Sequence, residues 1–129
     1  MKALLSLLTL GLFAVAPAAE PDTRLFEMRV YYAAEGKLDA LNARFRDHTL
    51  RIFARHGLVS IGYFIPQDQP NTLIYVLQHP SREAATKNWD AFRNDPEWKT
   101  ARAASEANGP ILVKTQSVYM DPTAFSALK

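Results

Sequence analysis

The order of its hydrophobic periods constrains this chain most. Leu25 to Tyr32 (LFEMRVYY) is rich in β-branched and aromatic residues and alternates in part, so it reads as a strand. Lys37 to His56 then switches to a helical period: Leu38, Leu41, Phe45, His48 and Ile52 recur at steps of three and four, on one face. Gly57 stands where a helix stop is expected. Ser60 to Ile65 and Thr72 to His79 read as two strands joined by the polar, proline-containing turn Pro66 to Asn71, which predicts an antiparallel hairpin. Ser81 is a natural N-cap for a helix reaching about Asn94. Asp95-Pro96-Glu97 restarts the helix with a cap, a first-position proline and a first-turn acid, and the second part should run to about Ala107. Asn108-Gly109-Pro110 ends it, and Ile111 to Met120 reads as the last strand.

The β-α-β-β-α-β order, with its second helix in two parts, predicts an α+β fold of ferredoxin-like type. An antiparallel sheet would carry the helices on one face. The other face should then read polar unless something covers it. In the third strand Leu73, Tyr75 and Leu77 alternate with Ile74, Val76 and Gln78, and in the second Ile61, Tyr63 and Ile65 alternate with Gly62 and Phe64. Neither face is clearly polar. Either these are short apolar strands whose period is blurred, or a second copy covers the open face; the second reading, a homodimer, is favoured, because exposed apolar sheets of that size are interaction sites.

The start of the chain has a different logic. Lys2 precedes the continuous apolar run Leu4 to Val15, and Ala16-Pro17-Ala18 supplies small residues at a cleavage site. This is the order of a bacterial secretory signal peptide, and the run is short for a membrane span of ~20 residues. Residues 1–18 are read as the leader, 19–24 as a linker, and 25–129 as one domain. The exported chain would begin at Ala19, be periplasmic or secreted, and keep no stable membrane anchor after cleavage.

Composition removes several functions. The absence of cysteine excludes disulfides, thiolate metal sites and thiol nucleophiles. The net charge of +2 comes with no Lys/Arg run suited to a phosphate backbone, so nucleic acid is not an expected partner. The three histidines form no i, i+4 pair, and no metal site is read from their spacing. There is no Gly-rich phosphate loop and no G-x-S-x-G elbow, and no cofactor is expected.

Several blocks together resemble the NIPSNAP family. They are Glu27-Met28-Arg29-x-Tyr31, Gly36-Lys37-Leu38, Phe45-Arg46-x-His48, His56-Gly57 and Asn71-x-Leu73-x-Tyr75. The most specific is Trp89-x-x-Phe92-Arg93-x-Asp95-Pro96-Glu97-Trp98, and Phe125-Ser126 is similar to the family's C-terminal Pro-Phe-Ser segment. The resemblance spans about residues 25 to 128. Ala124 stands where the family usually has proline, and His79 where tyrosine is common, which bears on the docking of the tail and on a pocket-edge contact. The resemblance implies a ferredoxin-like subunit that pairs into a dimeric α/β barrel, in a family of undefined biochemical activity. Related barrels include cofactor-independent monooxygenases, haem-degrading enzymes and small-molecule binders, an analogy of fold that assigns no function.

Four residues form the candidate ligand-binding set: Arg29, His48, Tyr63 and Tyr75. They would line a helix–sheet pocket for a small apolar or aromatic molecule. His48, on the apolar helix face, is either a general base or polar handle in that pocket, or a core histidine with one hydrogen bond. Arg29 shares a strand face with Glu27 and Tyr31. It either pairs with an acid or anchors an anionic group of a ligand. Tyr63 and Tyr75 either share the cavity or merely pack. His56, at a helix end, reads as structural, and His79 faces a cavity mouth or solvent. Whether the protein is an enzyme stays open. The alternatives are a cofactor-independent monooxygenase with His48 as base, and a non-enzymatic dimeric periplasmic interaction protein.

Overall fold

The alternation in Thr72–His79 sets up the architecture. Leu73, Tyr75, Leu77 and His79 are buried, while Ile74, Val76 and Gln78 between them are half-buried. A strand with one sealed and one partly open face belongs inside a sheet covered on one side. The computed structural model describes residues 24–129 and shows that arrangement. The expected leader and most of the linker lie outside the described residues.

The strands are β1 (Leu25–Ala33), β2 (Val59–Phe64), β3 (Thr72–His79) and β4 (Leu112–Met120). They form one four-stranded sheet in the order β2-β3-β1-β4, antiparallel throughout. The α+β, ferredoxin-like expectation is met. The first helical segment comprises α1 (Leu38–Arg44), a π-helical turn (Phe45–Thr49) and α2 (Leu50–Arg55). The second comprises α3 (Arg82–Asn94) and α4 (Pro96–Ser105). Leu41, Phe45, Ile52 and Phe53 from the first segment and Trp89 and Phe92 from the second meet Leu73, Tyr75 and Leu77 in one core.

The local signals act as expected. Ser81 Oγ accepts from the Ala84 amide at 3.1 Å, which caps α3. Asp95 Oδ1 accepts from the Glu97 and Trp98 amides at 2.8 and 3.3 Å, and Pro96 takes the first helical position, where its missing N–H costs nothing. Gly57 has φ +73°, the left-handed geometry that ends the first helical segment. The Asp95 carboxylate also accepts from His56 Nε2 at 2.7 Å and Arg55 Nη2 at 2.8 Å. His56 is thus the main cause, ahead of Arg55, that holds Asp95 well below the usual carboxylate range.

Two irregularities change which side chains face the core. In β2 the register slips between Ser60 and Gly62, so Ser60 and Tyr63, three apart, end on the helix side, with their hydroxyls 2.8 Å apart. In the first helical segment the π turn does the same. The Leu50 amide reaches back to the Phe45 carbonyl instead of Arg46. Thr49, 1% exposed, then occupies the inward position that an unbroken period would give His48. Its hydroxyl donates to the Arg44 carbonyl at 3.2 Å.

That bond yields a prediction. Thr49→Val keeps shape and removes the donor, so the buried Arg44 carbonyl loses a partner. The variant should be less stable by about 1–3 kcal/mol, measured by urea unfolding; unchanged stability would show that the π turn needs no side-chain support.

Candidate functional site

β1, in the sheet centre, carries charge on its helix side. Glu27, Arg29 and Tyr31 alternate along it and face Leu77, Tyr75 and Leu73 of β3. Glu27 is fully buried, and four donors from four elements converge on its carboxylate. Arg29 Nη1 (2.9 Å) and Ser117 Oγ of β4 (2.7 Å) donate to Oε1. His79 Nε2 of β3 and Trp89 Nε1 of α3, both at 2.8 Å, donate to Oε2. A carboxylate offers about four lone-pair sites, so this one is saturated. Burial, the largest single influence, raises its pKa. The donors, His79 foremost and then Arg29, outweigh burial and bring it down from 4.5 to about 2.

Beside this cluster a cavity of about 300 Å³ lies between sheet and helices. Tyr31, Phe45, Phe53, Trp89, Phe92 and Trp98 form aromatic wall, and Arg29 and Arg44 contribute guanidinium groups. Arg29 lies over the Trp89 ring, 4.4 Å from its centroid, and Arg44 over Trp98, at 5.2 Å. Arg93 and Arg102, both exposed, stand at the rim with Glu106. Burial works against the charge on Arg29, yet Tyr31, Tyr75 and Glu27 push its pKa up. Burial pulls that of Arg44 down, with Glu106 opposing.

The structure brings one of the four expected lining residues to this cavity, Arg29. Its ion pair with Glu27 is the structural half of what its strand position suggested. His48 does not reach the cavity; this corrects its expected placement, and the cause is the π turn. It lies half-buried in a groove between the first helical segment and α4, beside Ala101 and Ala104. Tyr63 and Tyr75 are likewise absent from the wall. They stack on each other, centroids 5.3 Å apart at 20°, and Tyr75, fully buried, donates its hydroxyl to that of Tyr31 at 2.8 Å. His79 faces neither a cavity mouth nor solvent: it is fully buried on Glu27. Arg44 was not anticipated as a site residue. Its position three residues after Leu41, on the buried side of α1, was the signal available. Glu106, just past α4, had none.

The NIPSNAP family model matches residues 26–127. A NIPSNAP family protein from Agrobacterium tumefaciens has a similar structure, with TM-score 0.73 and 20% identity, over 82% of this chain and 99% of that one. A second protein from the same organism, described as a NIPSNAP family protein with unknown function, gives 0.74 and 20%, over 85% and 97%. A monooxygenase from Streptomyces coelicolor, solved with the ligand nanaomycin D, gives 0.58 and 19%, over 84% and 96%. At such identities the likeness shows the fold. No curated protein sequence matches.

The Glu27 cluster predicts a pH signature. A carboxylate with a lowered folded-state pKa adds stability above its unfolded pKa, and that contribution fades as pH falls from 4.5 toward about 2. Glu27→Gln should therefore cost about 3 kcal/mol at neutral pH. The gap to wild type should close through that acid window, followed by denaturant unfolding at a series of pH values. A gap independent of pH would show that the loss is one of packing alone.

Proposed function

The chain belongs to the NIPSNAP family, and from that premise we propose that it binds a small, largely aromatic molecule in the cavity between sheet and helices. The observation that carries this reading is the wall itself: six aromatic rings around about 300 Å³, with a few polar groups converging on it. That volume is at the lower end of ligand pockets, about 300–1,000 Å³. A saturated Glu27 cluster fixes one side of it, so the pocket is held open by a rigid polar frame. The oxygenase alternative needs a base at the substrate, and His48, the residue cast for that role, lies in a different groove. The pocket reading accordingly stands on binding and assigns no catalytic residue.

The working unit in this proposal is an exported homodimer. Its support is the open sheet face, where Phe64 and Val118 are 58% and 46% exposed beside half-buried Met28, Ile74 and Val76. Phe125 of the tail is also almost wholly exposed. Such apolar area is ordinarily covered by a partner. Among the described residues no helix is long and apolar enough to cross a membrane.

Two measurements decide these points. Trp89 and Trp98 are the only tryptophans in the chain, and both line the cavity. In a proton–nitrogen NMR titration with 2-naphthalenemethanol, both indole N–H signals should move. They should move equally in His48→Ala. Indole signals that stay fixed at millimolar probe would overturn the pocket. Light scattering of the purified protein should give the mass of two chains, and Val118→Asp should shift it to one; a wild-type monomer would remove the homodimer.

A further inference from the structure

Arg44 in the cavity is poorly served by the protein, and Arg29 is well served only at Nη1, by Glu27 at 2.9 Å. Arg44 is 5% exposed, yet its bonds are 3.2 Å to Ser105 Oγ and 3.4 Å to Glu106 Oε1. Those lie at and beyond the long end of the N–H···O range, about 2.7–3.2 Å. Glu106 is shared, since Arg102 Nε also reaches its Oε1 at 3.4 Å. Among the described residues, the buried Nε atoms of Arg44 and Arg29 have no hydrogen-bond partner. Arg29 Nη2 reaches the Tyr31 hydroxyl at 3.4 Å. Exposed Arg55, by contrast, has carboxylate bonds of 2.8 Å to both Asp95 and Glu97. Buried donors are normally the better satisfied. Here the order is reversed, and the two under-served cations share one cavity.

The charges set the valence of what would complete them. Four guanidinium groups, Arg29, Arg44, Arg93 and Arg102, line the cavity. Among the described residues, their ion-pair partners are three carboxylates, Glu27, Asp90 and Glu106. One positive charge is left over. A planar monoanion suits this: a carboxylate engages guanidinium edges in the plane of the fork, while the indoles cover the guanidinium faces.

Resting on the reading of the cavity as a ligand pocket, we propose that its ligands are aromatic monocarboxylic acids, the carboxylate held by Arg29 and Arg44 and the ring between Trp98, Phe45 and Phe92. Arg44 is then the specificity residue. It exchanges its long contact with Glu106 for a short bond to the ligand, and Arg102 keeps Glu106 in place.

The experiment uses the same indole NMR titration with three probes of one ring system: 2-naphthoate, 2-naphthalenemethanol and 2-naphthyl phosphate at pH 8. The carboxylate should bind at least tenfold more tightly than the alcohol, and more tightly than the phosphate dianion. Arg44→Met should abolish the preference for carboxylate over alcohol, and an amide spectrum dispersed as in wild type shows that the variant is folded. Arg44→Lys should keep part of the preference. Equal binding of carboxylate and alcohol would overturn the acid assignment and leave the pocket standing. Tighter binding of the phosphate would overturn the single-charge argument, and a preference that survives in Arg44→Met would overturn the role of Arg44. No movement with any probe would overturn the pocket itself.

Discussion

The buried carboxylate of Glu27 is the interaction on which the rest depends. An ionised acid in a protein interior is unfavourable unless it is fully hydrogen-bonded. Here β1 supplies both the acid and Arg29, β3 supplies His79, β4 supplies Ser117 and α3 supplies Trp89. The central strand is thereby tied to both its sheet neighbours and to the helical layer through one group. Removing Arg29 leaves the buried charge without its countercharge, and removing a neutral donor leaves a buried lone pair unpaired, so the cluster fixes how α3 sits on the sheet. The long side chain of Trp89 is oriented at its nitrogen by Glu27 and at its ring by Phe53 and Phe92.

That constraint also shapes the cavity. Trp89 held by its nitrogen presents a fixed face, and Arg29, held at Nη1, lies over it. On the other side the break at Asp95-Pro96 turns the chain so that Trp98 meets Phe92, with centroids 4.5 Å apart, and covers Arg44. The space between is bounded by rings that cannot collapse into it without giving up those contacts. A cavity between helices and sheet is thus a result of two oriented indoles, each anchored by a polar residue of a different element.

Much of the fold was legible in the residues. Strand and helix limits came within a residue or two of those observed, because alternation, caps and breakers act locally: Ser81, Asp95-Pro96 and Gly57 each did what their chemistry dictates. The site was legible in part. Arg29 could be singled out because a charge in a central strand needs a partner whatever the fold. His48 was misplaced because the three-four spacing assumes an unbroken α-helix, and one π turn moves the apolar face onto Thr49 and Phe53. Tyr63 and Tyr75 were correctly placed on adjacent strands facing the helices, but the stack they make fills space instead of lining it. Arg44 and Glu106 are brought together from α1 and the end of α4, a juxtaposition with no local trace.

By itself the sequence determined the element order, the helix ends, the α+β class and the presence of a charged β1 in an apolar sheet, since these follow from short-range periodicity and backbone chemistry. Only the tertiary structure decided which donors saturate Glu27, which arginines are left under-served, and that the cavity lies under Trp98 and not beside His48. Those outcomes depend on a single extra residue in a helical turn and on contacts between residues far apart in the chain. Neither is encoded in any local period.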